Sequence, residues 1–517
     1  MSSKAKHDAT SAATGSALSS AIVPIGDRVM FNRRFPIGDR VNGSGDGAIC
    51  EMSASWLPRL AVAFIHERIF TRSRDPFGRS PDRTSHFTPH PITRSHDRTM
   101  IGSIILATMV IVVATAIVAP SFRAASVDWS QWRGPERDGV AAVVSPRDWP
   151  EKLRRVWRVE VGIGHSSPVV SGDRVFIFSR RGEQEALAAL SLSTGQTQRE
   201  QLYDAPYEMN PAARGHGKGP KSTPVVSGTT VCTFGIGGVL SCYDTQKLAV
   251  RWRKPFSELK AASPEFGVAM SPIVEGGAVI AHVGGKGNGV LRAFDLMTGA
   301  TRWSWDGDGP AYASPVVAAL AGVRQLITQT QRSIVGIDAK TGALLWRVPF
   351  TTAYDQNAVT PVVYRDLVIV SGLDQPLQAL RPVRKGSAWE TQTVWENKTV
   401  PMYMSSPVLA GGMLFGLSHR NRGQYFAVDA VSGTTKWTGE PRQGENAAVV
   451  SAGDVLLGLN TNGELVVVRR RAAAFEVIRR YPVAESPTWA HPAVIGAGGQ
   501  MRILIKDETA LAMWSTS

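Results

Sequence analysis

The sequence is poor in several kinds of residue and motif, and each shortage excludes a class of protein. Only three cysteines occur among 517 residues, which excludes a scaffold held by many disulfides and a metal site with four cysteine ligands. Charged residues make up only 19% against 43% hydrophobic residues, so the chain as a whole is not disordered. The net charge of +14 is not gathered into the dense basic stripe that binds nucleic acid.

Recognisable catalytic motifs are also missing. The sequence has no Gly-x-Ser-x-Gly nucleophile elbow, no His-Glu-x-x-His zinc motif and no phosphate-binding loop. No two of the histidines after residue 126 have the spacing of metal ligands. We therefore expect no metal site and no nucleic-acid partner, and we assign no catalytic residues.

Long hydrophobic runs are lacking with one exception, at residues 101–119. These nineteen uncharged residues, from Ile101 to Ala119, are long enough to span a membrane. Small residues follow at 119–121 and 124–126, where a signal peptidase could cut. Residues 100–126 are therefore predicted to be a cleaved signal peptide or an uncleaved inner-membrane anchor. Either would place the following residues in the periplasm or outside the cell.

The preceding residues 1–99 do not resemble a domain, since they are rich in Arg, Ser, Pro and His. Two interpretations stay open. Translation begins at or near Met100 and the first 99 residues are not part of the protein, or they form a disordered cytoplasmic extension of a membrane anchor.

The chain is rich in glycine, proline and tryptophan, with 50, 31 and 14 residues. Many turns and many tryptophans favour an all-β repeat protein. A Ser/Thr-Pro dipeptide followed by apolar residues recurs six times, and two degenerate copies follow, at steps of 41 to 56 residues. The copies begin at Ser167, Thr223, Ser271, Ser314, Thr360, Ser406, Ala447 and His491.

Each copy continues with an Asp-x-x-Thr/Ser-Gly turn and then a tryptophan, most clearly at 293–303, 336–346 and 427–437. The aspartate can accept hydrogen bonds from nearby backbone N–H groups, and the glycine can take a positive φ. Four short strands cannot bury both faces of their sheet alone, so neighbouring copies must stack, with the tryptophan filling the gap between them. Units of this length with four strands are propeller blades.

The last copy provides three strands, near 493–495, 502–505 and 510–514. The missing tryptophan-bearing strand is found at 156–161. The predicted fold is therefore an all-β, eight-bladed β-propeller of four-stranded antiparallel blades over residues 156–517, closed by an N-terminal strand that completes the last blade. Residues 127–155 are a lead-in segment.

The Asp-x-x-Thr-Gly-x-x-x-x-Trp turn combined with a Ser-Pro strand resembles the pyrroloquinoline-quinone (PQQ) type of propeller repeat. That class includes quinoprotein alcohol dehydrogenases and the lipoprotein of outer-membrane-protein assembly. The lead-in, Trp129 to Gly139, is similar to that of exported bacterial members of unassigned role. The resemblance implies the fold, but the same blade serves both enzymes and scaffolds.

In such a propeller the loops that enter the innermost strands form one mouth of the central channel, so we expect ligands there. The longest of these loops, 207–221, combines basic residues with glycines and is suited to an anion; a flexible solvated loop is the alternative. The candidate ligand-binding residues are His165, Ser166, Arg214, His216, Lys218, Lys221, Tyr312, Asn357, Tyr403, Trp489 and His491.

Cys232 and Cys242 lie on either side of a glycine-rich hairpin. An exported protein could oxidise them to a disulfide, although cross-strand geometry often disfavours that bond. Two buried thiols are the alternative.

Two functions follow from the resemblance. The first is a binding or scaffold module of the cell envelope, with no cofactor, whose partner is an envelope protein, a peptide or a glycan. The second is a quinoprotein alcohol dehydrogenase holding PQQ and Ca²⁺. The sequence departs from the pattern of quinoprotein alcohol dehydrogenases, because Cys232 and Cys242 are ten residues apart, whereas those enzymes have two adjacent cysteines. The binding module is the favoured interpretation.

Overall fold

The computed structural model describes residues 128–255, 264–471, 473–497 and 500–517. The predictions for residues 1–99 and for the apolar segment at 100–126 lie outside these residues. Within them, no helix is both long and apolar enough to cross a membrane.

Within the described residues, thirty-three strands form eight sheets, and each sheet is one blade. Blade one contains β3 (Val169–Ser171), β4 (Arg174–Arg181), β5 (Gln184–Ser191) and β6 (Thr197–Asp204), and blade two contains β7 (Val225–Ser227), β8 (Thr230–Phe234), β9 (Leu240–Asp244) and β10 (Val250–Lys254). Blade three contains β11 (Ile273–Glu275), β12 (Ala278–Gly285), β13 (Asn288–Asp295) and β14 (Thr301–Trp305). Blade four contains β15 (Val316–Leu320), β16 (Val323–Gln329), β17 (Ser333–Asp338) and β18 (Leu344–Pro349).

Blades five to seven follow the same order along the chain. Blade five contains β19 (Val362–Tyr364), β20 (Leu367–Gly372), β21 (Gln375–Lys385) and β22 (Ala388–Asn397). Blade six contains β23 (Val408–Ala410), β24 (Met413–Ser418), β25 (Gln424–Asp429) and β26 (Thr435–Thr438). Blade seven contains β27 (Ala447–Ala452), β28 (Val455–Asn460), β29 (Glu464–Arg469) and β30 (Val477–Pro482). A two-residue strand, β1 (Val140–Ala141), adds to blade seven by pairing in parallel with β27.

Blade eight contains strands from both ends of the described chain. The strands β31 (Ala493–Ala497), β32 (Gln500–Lys506) and β33 (Ala510–Ser515) pair in order, and β2 (Arg154–Glu160) lies antiparallel to β33, with Trp157 opposite Met513. The chain is therefore an eight-bladed β-propeller of antiparallel blades, as the sequence predicts.

Tryptophans on the last strand of several blades link their blade to the next, whereas Trp346 bonds within its own blade, to Gln325 Oε1 at 2.7 Å. Trp252 donates from Nε1 to Leu296 O at 3.0 Å, and Trp303 donates to Ala339 O at 3.2 Å. The ring also lies against the turn glycine of the next blade, where a Cβ on Gly342 would come within 2.6 Å of Trp303. Gly342 has a φ of +77°, so both the conformation and the close approach require glycine.

The turn aspartates accept the hydrogen bonds that the sequence pattern predicts. Asp295 Oδ1 accepts from the backbone N–H groups of Met297 and Thr298 at 3.1 and 2.9 Å, and Asp295 Oδ2 accepts from Arg302. These donors, the Arg302 guanidinium first, hold the pKa of Asp295 below its usual value.

The Ser/Thr-Pro dipeptides form a second link between blades. The hydroxyl of one copy accepts a hydrogen bond from the backbone N–H of the equivalent residue in the preceding blade: Ser167 N–H donates to Thr223 Oγ1 at 3.2 Å, and Thr223 N–H to Ser271 Oγ at 2.9 Å. His491 N–H donates to Ser167 Oγ at 2.8 Å, which joins blade eight to blade one. The Ser/Thr hydroxyl therefore recurs in the repeat because it accepts a hydrogen bond from the neighbouring blade.

Blade two contains a disulfide between Cys232 and Cys242. The two residues are directly opposite each other on β8 and β9, with their Cα atoms 4.1 Å apart. Both side chains are fully buried between blades two and three.

Candidate functional site

The lead-in segment crosses the centre of the propeller and contacts every blade. Trp129 exchanges backbone hydrogen bonds with Val170 of blade one, and Ser130 O accepts from Val226 of blade two. At the other end, Gly139 O accepts from Ser451 of blade seven. The edge of the Trp132 ring meets His491 of blade eight, with ring centroids 5.3 Å apart.

Two buried arginines hold this segment to the inner strands. Arg137 donates from Nε to Pro315 O at 2.8 Å, and from Nη1 and Nη2 to Pro272 O and Ser271 O, each at 3.0 Å. Arg133 donates from Nη2 to Pro407 O of blade six. Guanidinium groups suit this position because their fixed fork of donors reaches several carbonyls at once. The lead-in therefore fills the axis of the propeller.

Beside this segment lies a cavity of about 310 Å³, which we call the cup. Its lining comes from seven of the loops that enter an innermost strand, together with Trp132 of the lead-in. The lining residues are Trp132, His165, Ala212, His216, Lys221, Phe266, Ala269, Tyr312, Ser314, Gln356, Ala358, Thr360, Tyr403, Met404 and Trp489.

Aromatic rings form much of the cup. Five aromatic side chains line it, and all are partly exposed rather than fully buried as core residues are. Trp132 is held by a hydrogen bond of 3.2 Å from Nε1 to Thr360 Oγ1. The Tyr403 hydroxyl donates to Gln356 Oε1, and the edge of Phe266 meets Tyr312 with ring centroids 6.0 Å apart. Such rings can bind the flat or apolar part of a ligand.

Basic groups lie together on one side of the cup. His165 Nε2 is 3.0 Å from His216 O, and the His216 ring meets Trp489 edge to face at 4.8 Å. Lys221 Nζ donates to Phe266 O at 2.6 Å, which uses one of its three donors. His216 and Lys221 belong to the loop 207–221, which contains a 3₁₀ turn, Pro211–His216.

Burial decides which of these groups are charged. It lowers the pKa of His165 to about 3, with the nearby Lys506 acting in the same direction, so this ring is neutral at pH 7. Burial also lowers the pKa of His216, and Lys221 adds to that effect. Burial lowers the pKa of Lys221 to about 8, so the amine is still mostly protonated at pH 7. Lys221 is the charged residue of the cup, whose described lining contains no acid.

The structure brings together six of the eleven candidates named from the sequence. They are His165, His216, Lys221, Tyr312, Tyr403 and Trp489.

The other five lie elsewhere. Ser166 is fully buried and does not line the cup, and Arg214 is exposed. Lys218 faces Glu183 at 3.6 Å. Asn357 is buried and donates from Nδ2 to Thr330 O at 2.7 Å, so it holds its loop in place. His491 is buried beside a smaller cavity.

Sequence reasoning missed Trp132 and Phe266 as lining residues. Trp132 lies in the lead-in, outside the repeats, where no periodicity indicates which way a side chain faces. Phe266 comes five residues before Ser271, in a loop from which the sequence analysis named no candidate. The one signal for Trp132 was the presence of a tryptophan in a short segment rich in Arg, Gly and Pro. No feature of the sequence indicated that Phe266 lines the cavity.

Comparisons with known proteins agree with the fold. The model of the family of PQQ-like repeats described as "outer membrane protein assembly factor BamB" matches residues 184–439 and 392–476, together more than half of the chain. No curated protein matches the sequence significantly.

Solved structures with the same fold include both enzymes and an assembly factor. A quinohemoprotein alcohol dehydrogenase from Comamonas testosteroni is 13% identical over 77% of this chain and 81% of its own, with a TM-score of 0.55. BamB from Moraxella catarrhalis is 15% identical over 70% of this chain and 99% of its own, with a TM-score of 0.52. The quinohemoprotein alcohol dehydrogenase ADHIIG from Pseudomonas putida HK5 is 12% identical over 75% and 80%, with a TM-score of 0.56.

At these identities the structures show a common fold, and they do not choose between the two activities. The repeat pattern, the eight blades and the matched family model agree with one another. The chain belongs to the PQQ-like β-propeller family whose model is described as outer membrane protein assembly factor BamB.

Proposed function

We propose that this chain is a binding module of the cell envelope, and that its cup binds a small organic anion or the anionic end of a larger partner. The observation that carries the proposal is Lys221, a single charged amine in a described lining of aromatic and neutral side chains. A cation in partly desolvated surroundings favours an anion, and no carboxylate of the described lining competes for it.

Three further observations support the location in the envelope. The apolar segment 101–119 has the length of an export or anchoring signal. The disulfide between Cys232 and Cys242 is of the kind that persists in oxidising compartments. The matched family is described by a role at the outer membrane. An envelope protein, a peptide or a glycan is the expected partner.

The alternative function, a quinoprotein dehydrogenase, fits the cup only in part. Lys221 could pair with a carboxylate of PQQ. Ca²⁺ needs six to eight oxygen ligands, usually with carboxylates among them, and the described lining contains neither Asp nor Glu. Among the described residues, no group of three or more His, Cys, Asp or Glu side chains could hold a metal. The lining residues of the cup therefore do not provide the oxygen ligands that Ca²⁺ needs when it binds with PQQ.

The experiment is a calorimetric and thermal-shift titration of the purified full-length protein. The probes are cyclohexanecarboxylate, D-glucuronate and cyclohexanecarboxamide, an uncharged match for the first. We expect the acids to bind and the amide not to, and Lys221→Gln to weaken acid binding by at least about tenfold. The control is Lys218→Gln on the same loop, which faces Glu183 instead and should leave binding unchanged.

Equal binding of acid and amide, or no effect of Lys221→Gln, would contradict the proposal. A parallel titration with PQQ and Ca²⁺ tests the alternative. A saturable rise in Tm, with dye reduction on simple alcohols, would make this protein a quinoprotein and overturn the preference for a binding module.

A further inference from the structure

A second cavity, of about 50 Å³, adjoins the cup, and we call it the side pocket. The two share Trp132, Met404 and Trp489 as walls. The remaining lining residues of the side pocket are Ser406, Asn446, Ala447, Ala448, Thr461, Thr488 and His491. Half of its lining is therefore hydroxyl, amide or imidazole side chains.

The side pocket lies where the repeat is degenerate. Blades seven and eight have Ala447 and His491 at the position of the Ser/Thr-Pro hydroxyl. Ala447 N–H is satisfied differently from the regular copies, because it donates to Ser405 Oγ at 3.0 Å, whereas His491 N–H keeps the regular link to Ser167 Oγ at 2.8 Å. The small side chains of Ala447 and Ala448 leave room that a regular blade would fill.

Two buried polar atoms at this pocket have no hydrogen-bond partner among the described residues. They are Asn446 Oδ1 and His491 Nε2, in side chains that are 7% and 3% exposed. His491 Nδ1 lies 3.4 Å from Pro492 O. Burial lowers the pKa of His491 to about 3 and outweighs the carbonyls of Pro492 and Val449, so the ring is neutral at pH 7. Buried polar atoms without partners are rare in folded proteins, so these two are available to a ligand or a water.

The size of the pocket limits what can enter. A volume of about 50 Å³ admits one or two atoms beyond hydrogen, such as a hydroxyl group and its carbon, since a water occupies about 30 Å³ in the liquid. The amide oxygen of Asn446 can only accept a hydrogen bond, so the entering group must donate one. A hydroxyl group on a ring held by Trp132 and Trp489 meets both requirements.

The charged and neutral anchors belong to different parts of the joined cavity. Lys221 lines the cup but not the side pocket, and Asn446 lines the side pocket but not the cup. We infer that the ligand is a sugar acid of the uronic acid type, with its carboxylate at Lys221, its ring against Trp132 and Trp489, and one ring hydroxyl in the side pocket at Asn446. This assignment rests on the proposed anion-binding function and names its ligand class.

The test compares D-glucuronate with cyclohexanecarboxylate, a six-membered ring acid without hydroxyls, by calorimetry on the full-length protein. We expect glucuronate to bind at least about tenfold more tightly, since a site built for a hydroxyl discriminates against the analogue that lacks it. Asn446→Leu should remove that preference and leave the affinity for cyclohexanecarboxylate unchanged. The control is Asn288→Leu, at an exposed position that lines neither cavity, and should preserve the preference.

The outcomes separate this inference from the function on which it rests. If both acids bind the wild type equally well, the side pocket holds water alone and the sugar-acid assignment is wrong, while anion binding stands. If glucuronate keeps its advantage in Asn446→Leu, the hydroxyl is bound elsewhere and the assignment is also wrong. If neither acid binds, the proposed function itself fails. Thr461→Val, which removes a hydroxyl from the same lining, replaces Asn446→Leu if that variant does not fold.

Discussion

The face of the propeller that carries the Asp-x-x-Thr/Ser-Gly turns is built from the same contacts in one blade after another, whereas the face that carries the cup differs at every blade. On the first face, Trp252 and Trp303 each donate to a carbonyl of the next blade and lie against its turn glycine. On the second face, one loop contributes Lys221, another Tyr312 and another Trp489. Repetition in the sequence therefore marks the contacts that hold the blades together, and departures from it mark the candidate site.

The largest expected effect lies on the repetitive face. Trp303→Ala removes a ring that is 8% exposed, together with its link to blade four. We expect the free energy of unfolding to fall by about 3–5 kcal/mol, measured by denaturant titration, with the affinity for D-glucuronate unchanged in the folded fraction. Trp389→Ala, on the outer hairpin of blade five, is the control and should cost clearly less, because that ring is partly exposed. If both variants lose the same free energy of unfolding, the position of Trp303 between two blades does not add to its contribution to stability.

The axial arginines hold the lead-in, which carries Trp132, to the innermost strands, so their loss should affect both stability and the cup. Arg137→Met leaves the carbonyls of Ser271, Pro272 and Pro315 without this donor. We expect a loss of about 3 kcal/mol in the free energy of unfolding, and weaker binding of D-glucuronate because Trp132 is no longer fixed. Arg147→Met, at an exposed position of the same lead-in, should change neither quantity. If Arg137→Met binds D-glucuronate as tightly as the wild type does, the anchoring of the lead-in does not contribute to ligand binding in the cup.

The cup face should make the protein sensitive to acid. Burial lowers the pKa values of His165 and His491 to about 3 and that of His282 to about 4. Between these values and 6.5 the unfolded state binds protons that the folded state does not, so stability is full above pH 6.5 and is lost as the pH falls. Each histidine contributes up to about 1.4 kcal/mol per pH unit in that window. Denaturant titrations from pH 7.5 to 5 should show the fall.

A variant identifies the histidines as the source of that slope. His282 Nε2 lies 3.0 Å from Asp308 O, and glutamine at this position keeps a donor at a similar reach while it cannot titrate. We expect His282→Gln to flatten the dependence of the unfolding free energy on pH below 6.5. A slope equal to that of the wild type would assign the acid sensitivity to other groups.

The smallest expected effect concerns the hydroxyl links between blades. Thr223→Val removes the acceptor of the Ser167 N–H with little change in volume. We expect a loss of about 1 kcal/mol in the free energy of unfolding, measured by denaturant titration. Ser193→Ala, at an exposed turn position of blade one, should have no measurable effect. A loss as large as that of Trp303→Ala would contradict the expectation that the hydroxyl links contribute less than the tryptophan links.

Much of the fold could be predicted because its signals are local and repeated. The Asp295 turn closes within three residues through bonds to Met297 and Thr298, so its pattern can be read directly. The candidate site could be predicted in part, since the loops before the Ser/Thr-Pro dipeptides do meet at one mouth and bring His165, Lys221 and Trp489 to the same cavity. Side-chain direction within those loops could not be predicted, as Ser166 and Asn357 show by facing into the structure.

The number of blades, the turn contacts and the side of the propeller on which the loops converge could all be predicted from the repeat. The tertiary structure alone decided that the lead-in fills the axis, that Trp132 joins the cup, and that a side pocket opens beside Asn446. The physical reason is distance along the chain. Trp132 and Thr360 are 228 residues apart and Arg133 and Pro407 are 274 residues apart, and only the closed ring of blades brings such residues together.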